Sequence, residues 1–399
     1  MKHLVRFCRL IVGLVFLFSG FVKLLSPVGT SLIIKEYFVA LHIGFMTPVA
    51  LVAGIVLASL EFLTAVALLL RLRFRLAAWI ALILVSIFTL LTLYLAIFNP
   101  ISDCGCFGEA IHLTNWQTFF KNLILLPCAI VIFIWRKAVS EFSKPALELV
   151  FLGLFALLDA AVLLQTFLWA PIAEFTDYRV GYEIRQTPAQ SSGEIYETVF
   201  VYEKDGVQQT FPLDNLPDSA WMFVEAVTTK KAPGSEPSGV DFFVEAPDGS
   251  DISGDLLLRR DLLLMTIYHP DRFFKRHTTA QIVQIKEAAE KQGLDFVLVA
   301  SDNIGGLIDD CPVNRADLKL LMTMNRSNGG VMLLDEGTIM RKWTFIRAVK
   351  GDADFCGGKD PELTLLMSLN RQRMSLEIAL VAFILICLAK FIVFYKKKE

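Results

Sequence analysis

Six stretches of this 399-residue chain are long and apolar enough to cross a lipid bilayer, and no other feature restricts its folding as much. A hydrocarbon core of about 30 Å needs roughly 20 helical residues. The stretches are residues 4–25, 47–70, 76–98, 117–135, 147–169 and 376–395. Inside hydrocarbon each backbone N–H and C=O must be satisfied within its own segment, so each stretch reads as a helix. The first has the basic start of a secretory signal, with Lys2, Arg6 and Arg9. Its apolar run is long for one and no small-x-small cleavage site precedes Lys23, so an uncleaved anchor is expected.

Positive charge gives the sidedness. Arg71, Arg73 and Arg75 separate the second and third stretches, Arg136, Lys137 and Lys144 the fourth and fifth, and Lys396–Lys398 follow the sixth. With alternating spans all lie on one face, whereas residues 99–116 contain no Lys or Arg. Both termini are therefore expected in the cytoplasm of a bacterium, the spans in its inner membrane. Residues 171–375 hold 31 Asp+Glu against 22 Lys+Arg, while the rest of the chain holds 9 against 16. The acidic block and the loop at 99–116 are expected in the periplasm. At 55% hydrophobic residues with 32 Phe, neither an ordinary soluble enzyme nor a disordered chain is compatible. The lipid bilayer is one partner; no basic patch or phosphate loop points to nucleic acid or nucleotide.

Seven cysteines are present. Cys8, Cys128 and Cys387 fall within spans and read as packing residues. The informative pair is Cys104-Gly105-Cys106, outside, after the third span. The glycine permits backbone angles that a Cβ blocks, so the two thiols can close a small ring. An exposed, strained ring of this kind is exchangeable, and the periplasm is oxidising. A static disulfide, an inert loop, or half a metal site with His112 are the competing readings; no metal centre is expected. Cys311 and Cys356 are left for a structural disulfide with each other or for redox exchange with the first pair.

Ionisable residues within spans are functional candidates because charge in hydrocarbon is costly. Glu61 and Asp159 lie mid-span; Lys23 and Lys121 lie near the outer interface, where long side chains snorkel. Glu61 reads equally as a helix-to-helix hydrogen bond or as a group in proton or quinone chemistry, and Lys23 is a candidate for the same proton- or quinone-linked role beside its interfacial reading. Lys23 and Glu61 are expected at different depths, hence unpaired.

In the acidic block, Glu197–Tyr202 and Val207–Phe211 flank the turn signal Lys204-Asp205-Gly206, and residues 230–239 read as a linker. Beyond it, Val240–Val244, Leu262–Tyr268 and Phe296–Ala300 read as strands, Thr279–Gln292 and 315–324 as helices, and Val331–Trp343 as a hairpin. That order places parallel strands and crossover helices in an α/β domain of thioredoxin type.

The first part resembles the DoxX/MauE family of four-helix membrane proteins. The carrying residues are Ser19-Gly20-Phe21-Val22-Lys23-Leu24, Glu61, Asp103-Cys104-Gly105-Cys106-Phe107-Gly108 and Asn115-Trp116-Gln117-Thr118. MauE proteins are associated with methylamine utilisation and disulfide formation in a periplasmic dehydrogenase, DoxX relatives with thiol and sulfur redox and sometimes quinone. The resemblance implies that Cys104 and Cys106 exchange, with no covalently bound cofactor and a quinone as electron partner. Residues 240–350 resemble TlpA-like or peroxiredoxin-like thioredoxin folds through Val240-Asp241-Phe242-Phe243, Pro247-Asp248-Gly249 and Leu333–Ile339. The chain departs from them with His269-Pro270-Asp271-Arg272 in place of Cys-x-x-Cys and Asn328-Gly329-Gly330 in place of the cis-proline. His269 is either a substitute acid/base or an ordinary strand-end residue.

The expected organisation is an all-α membrane bundle at 1–137, a fifth span within 138–170, a small β element at 171–235, a degenerate thioredoxin-like domain at 240–350 and an anchor at 376–395. The leading function is thiol–disulfide redox, a possible oxidoreductase acting on periplasmic protein thiols through Cys104 and Cys106. The alternative is a non-enzymatic maturation platform whose thioredoxin-like domain binds a client.

Overall fold

The structure, a computed structural model, describes residues 2–101, 104–139, 144–169, 172–184, 196–204, 207–212, 222–230, 242–302, 304, 308, 311–350, 355 and 360–395. The membrane part begins with α1 (Lys2–Leu25), α2 (Pro27–Ala40), α3 (Ala50–Leu70, entered through a 3-10 turn at Gly44–Val49), α4 (Phe74–Phe98), α5 (Asn115–Ile134) and α6 (Pro145–Leu168). Next come β1 (Tyr196–Lys204), β2 (Val207–Pro212), β3 (Met222–Lys230), α7 (Ser253–Leu258), β4 (Leu262–Ile267), α8 (Pro270–Phe274) and α9 (Thr279–Lys291). Then β5 (Asp295–Ala300), β6 (Val313–Arg315), α10 (Leu318–Met324), β7 (Gly330–Asp335), β8 (Thr338–Trp343), α11 (Phe345–Val349) and α12 (Pro361–Tyr395) follow.

Among the described residues six helices are long and apolar enough to cross a membrane, and five begin and end close to the hydropathy boundaries. The sixth differs: α12 starts at Pro361 rather than 376. Its early turns carry Ser368, Arg371, Gln372 and Arg373, which lower hydropathy without opposing helix, and Arg373 pairs with Glu377 one turn on at 2.8 Å. A second difference is α2, absent from the hydropathy reading because its 14 residues are too few to span. Pro27 opens it, and Pro27, Val28, Gly29, Thr30, Ser31 and Ile34 are buried.

One apolar cluster joins Val12 and Phe16 of α1, Phe62, Ala65 and Leu68 of α3, Ala78 and Ala81 of α4, Leu125 and Ala129 of α5, and Phe151 and Phe155 of α6. Phe383 of α12 packs against it. The repeated alanines allow helix backbones to approach where lipid supplies no hydrophobic drive between spans. The fifth and sixth spans thus share the core of the first four.

The C-terminal domain is a mixed five-stranded sheet, order β6-β5-β4-β7-β8. β4–β5 and β5–β6 are parallel, β4–β7 and β7–β8 antiparallel; Leu264 sits between Val297 and Met332. β4 is buried along its whole length, as its unbroken apolar run requires. Ile282, Ile285 and Ala289 of α9 and Phe345 and Ala348 of α11 cover one face. The hairpin and α9 lie where periodicity puts them. Of the strand expected at 240–244, the described residues Phe242–Val244 carry none, and Glu245 makes isolated bridges to Asp251 and Arg315. The helix expected at 315–324 starts at Leu318, because Asp317 caps it, accepting from Lys319 N at 2.7 Å and Leu320 N at 3.2 Å.

Residues 185–242 form a separate compact unit, an antiparallel sheet of order β2-β1-β3. Its third strand was not expected, since Glu225-Ala226-Val227-Thr228-Thr229 shows no clean alternation. The turn residues Asp205 and Gly206 lie outside the described residues.

Candidate thiol site

The site is a loop between α4 and α5 whose ends are fixed by sequence-local chemistry. Thr114 and Gln117 make a reciprocal capping box at the start of α5. Asn115 Nδ2 donates to Asn99 Oδ1 at 2.8 Å and to the Ile101 carbonyl at 2.7 Å, tying the end of α4 to the start of α5. Between these anchors Gly105 and Gly108 take positive φ of 58° and 56°, and Gly108 N donates to the Gly105 carbonyl at 2.9 Å. A Cβ on Gly105 would also come within 2.4 Å of Ile33 Cδ1 of α2. Both backbone angle and space therefore require glycine between the two cysteines.

This turn places Cys104 Sγ 2.9 Å from Cys106 Sγ. Cys104 is 3% exposed, and the single proton of the Tyr37 hydroxyl of α2 serves either its sulfur, at 3.2 Å, or its carbonyl. Cys106 is half-buried. The two thiols have opposite tendencies. The hydrogen bond received from Cys104, with the positive charge of Lys121 and Lys23, holds Cys106 down at about 7. Giving that hydrogen bond, together with burial, pushes Cys104 above the ordinary thiol range.

Beneath the loop lies an ion pair. Lys23 Nζ sits 2.7 and 2.8 Å from the two Glu61 carboxylate oxygens, and both residues are buried. Ser19 Oγ stands 2.7 Å from Glu61 Oε2 and 2.6 Å from the Cys106 carbonyl oxygen, so its one proton serves either. The expectation of separate depths for Lys23 and Glu61 is thus corrected, as is the snorkelling reading of Lys23. The cause is α2 and the turn after it, which start α3 well beyond the end of α1, so a mid-helix residue of α3 is level with the last turns of α1. Gly20 permits the crossing: a Cβ there would lie 2.6 Å from the Phe62 backbone nitrogen.

The loop also meets the sheet domain. Glu109 accepts from Ser26 Oγ at 2.9 Å and forms an ion pair with Arg326, from the segment before β7. Lys319 of α10 pairs with Glu36 of α2 at 2.8 Å. Lys121 Nζ lies 4.3 Å from the centroid of the Phe107 ring.

Other candidates lie elsewhere. Asp159 accepts from Ser59 Oγ at 2.8 Å and is not part of the site. Cys311 is half-buried against the sheet-domain core, and Cys356 lies outside the described residues. His269 holds a strand end, its imidazole pushed down by burial and by nearby Lys35 and Arg272. Ser19 appeared in the sequence reading only within the motif at 19–24, with no role of its own, and Tyr37, Glu109 and Arg326 were missed. Only Ser19 had a signal, its i,i+4 spacing to Lys23.

Residues 1–136 match the family model described as Methylamine utilisation protein MauE. The N-terminal part is MauE-like. Residues 196–231 match a model described as Domain of unknown function (DUF8463). Protein TlpB of Flavobacterium psychrophilum is 27% identical over 220 residues, 55% of this chain and 54% of that protein. The chain thus spans about half the length of this curated relative. No solved structure matches.

Proposed function

We propose that this membrane protein exchanges disulfides with protein thiols through Cys104 and Cys106. The observation that carries the reading is the 2.9 Å approach of two sulfurs with opposed acidities on a glycine-made turn. In the oxidising direction a client thiolate attacks Cys106 Sγ, forms a mixed disulfide and breaks the Cys104–Cys106 bond. The electron pair leaves on Cys104, which the Tyr37 hydroxyl supports by its hydrogen bond, and the sulfur then takes a proton. A second client thiolate attacks the client sulfur, closes the client's disulfide and releases Cys106 as thiolate. Two electrons pass from client to pair; the reverse sequence reduces a client disulfide.

Lys23 and Glu61 are assigned to proton movement and loop positioning, since Ser19 links the carboxylate to the Cys106 carbonyl. Coupling to a quinone was the other half of the expectation. That half rests on the family resemblance; the cavity lined by Cys104, Cys106 and Lys23 is small, about 30 Å³, and the exchange steps above use only the two cysteines and the client.

The MauE match over residues 1–136 supports the redox loop, and the TlpB likeness with the strand order supports a thioredoxin-like sheet domain beside it. Placement of the spans in an inner membrane, with residues 171–375 periplasmic, belongs to the same reading and rests on the charge pattern. The platform alternative needs a free binding face on that domain, whereas Arg326 and Lys319 rest on the protein's own helical part. Thiol trapping in cells tests the reading. The pair should shift between dithiol and disulfide after a reductant pulse and recover. A pair that never shifts, in cells where the C104S/C106S variant keeps the phenotype, overturns it.

A further inference from the structure

One side chain of the sheet domain reaches the thiol loop itself. Arg326 pairs with Glu109, three residues after Cys106, and the two side chains are only 7% and 16% exposed. The loop there is two consecutive turns. Gly108 N donates to the Gly105 carbonyl at 2.9 Å, and Ala110 N to the Phe107 carbonyl at 3.3 Å. Glu109 lies inside the second turn and next to the first, so holding its side chain restrains the turn that carries both sulfurs.

Each partner is also held from its own side. Ser26 Oγ, just before α2, donates to Glu109 Oε2 at 2.9 Å. Gly29 of α2 leaves the carboxylate its room: a Cβ there would come 2.7 Å from Glu109 Oε1 and Cδ. Arg326 Nη1 donates to the Met322 carbonyl of α10 at 2.8 Å, which aims the guanidinium. The domain has other contacts with the rest of the chain. Lys342 meets Glu174 at 2.9 Å, Thr344 Oγ1 donates to the Leu168 carbonyl of α6 at 2.9 Å, and Lys319 meets Glu36 at 2.8 Å. Of these four contacts only that of Arg326 is with the thiol loop.

We propose that Arg326 is a positioning residue of the thiol pair, acting through Glu109; this rests on the exchange reading above. With Glu109 clamped, the loop keeps its two sulfurs facing, and closing the disulfide needs little further ordering. Without Arg326 the loop gains freedom that the dithiol keeps and the closed ring loses, so the pair moves toward dithiol. Arg326 thus makes the sheet domain part of a site whose two cysteines lie in the helical part. Lifting that domain from the helices shifts the pair in the same direction.

The test equilibrates the full chain in detergent with reduced and oxidised glutathione at set ratios. The fraction of Cys104–Cys106 disulfide is then counted by peptide mass spectrometry after alkylation. Two glutathione thiols give the pair two electrons and two protons and leave as one glutathione disulfide. R326M should move the equilibrium about tenfold toward dithiol, which is about 30 mV, and R326K, which keeps the charge, should recover most of that shift. K319M removes the exposed pair with Glu36 and should stay within about twofold of the parent. If R326M fails to fold, G29A decides: its methyl displaces the Glu109 carboxylate while alanine suits the helix, and about a threefold shift toward dithiol is expected. A parent that titrates while R326M and G29A match it overturns this proposal alone, as does a K319M shift as large as that of R326M. A parent pair that never titrates with glutathione overturns the exchange reading and this proposal with it.

Discussion

Two loops meet at the Arg326–Glu109 ion pair, and they are held in opposite ways. In the sheet domain the Asn328 side chain secures the backbone at the end of β4. It accepts from Tyr268 N at 2.9 Å and His269 N at 3.1 Å, and donates to the His269 carbonyl at 3.0 Å. Every one of those bonds is to main chain, and the strand end becomes a fixed joint. In the loop at 104–109 the side chains of Tyr37, Ser19 and Lys23 converge on two cysteines, and the groups that matter can gain or lose a proton. Main-chain hydrogen bonds fix a strand end, whereas sulfurs surrounded by proton-bearing groups are what the proposed exchange would use. The strand end carries His269, whose main-chain N–H and carbonyl are both held by the Asn328 side chain.

That contrast can be broken by measurement. The largest effect is expected from C106S, which should abolish disulfide exchange with a model dithiol peptide, whereas H269A should stay within about twofold of the parent. Exchange that survives in the Cys106 variant would move the chemistry elsewhere. Next is the buried pair. Lys23→Met leaves the Glu61 carboxylate uncompensated and should cost about 3–5 kcal/mol, read as a fall in Tm in detergent. The K23M/E61M double variant should recover most of that stability. If it also recovers full exchange, the pair is structural and has no part in proton movement. Third, N328A removes three hydrogen bonds and should destabilise the sheet domain by about 1–3 kcal/mol in thermal melts while leaving the exchange rate unchanged.

A smaller effect concerns acidity. Cys106 is held at about 7, so its thiolate fraction grows as pH rises through that value and levels off above it. In a C104A background Cys106 loses the Cys104 hydrogen bond, so the midpoint of its alkylation should move up from that of the parent pair. In the parent, alkylation at pH 8 should exceed that at pH 6 by about tenfold. A flat profile would remove the distinction between the two thiols. The smallest effect is expected from Y37F, which should slow exchange about threefold by removing one hydrogen bond to Cys104.

Legibility in the sequence followed the range of the forces. The spans at 47–70 and 76–98, the hairpin of β7 and β8, and α9 were readable because hydropathy and periodicity are local. So was the need for glycine in Cys104-Gly105-Cys106, since a backbone angle belongs to one residue. β6 was missed because three residues show no period, and α2 because a helix too short to span leaves no hydropathy signature.

The sequence by itself determined that this chain lives in a bilayer and that two of its seven cysteines stand together between two spans. Only the tertiary structure decided what surrounds those cysteines. Lys23 and Glu61 are 38 positions apart and meet because α2 offsets α3 against α1. Arg326 reaches Glu109 across 217 positions because the sheet domain rests on the helices. Depth and docking are sums over many packing contacts, and no single segment encodes them.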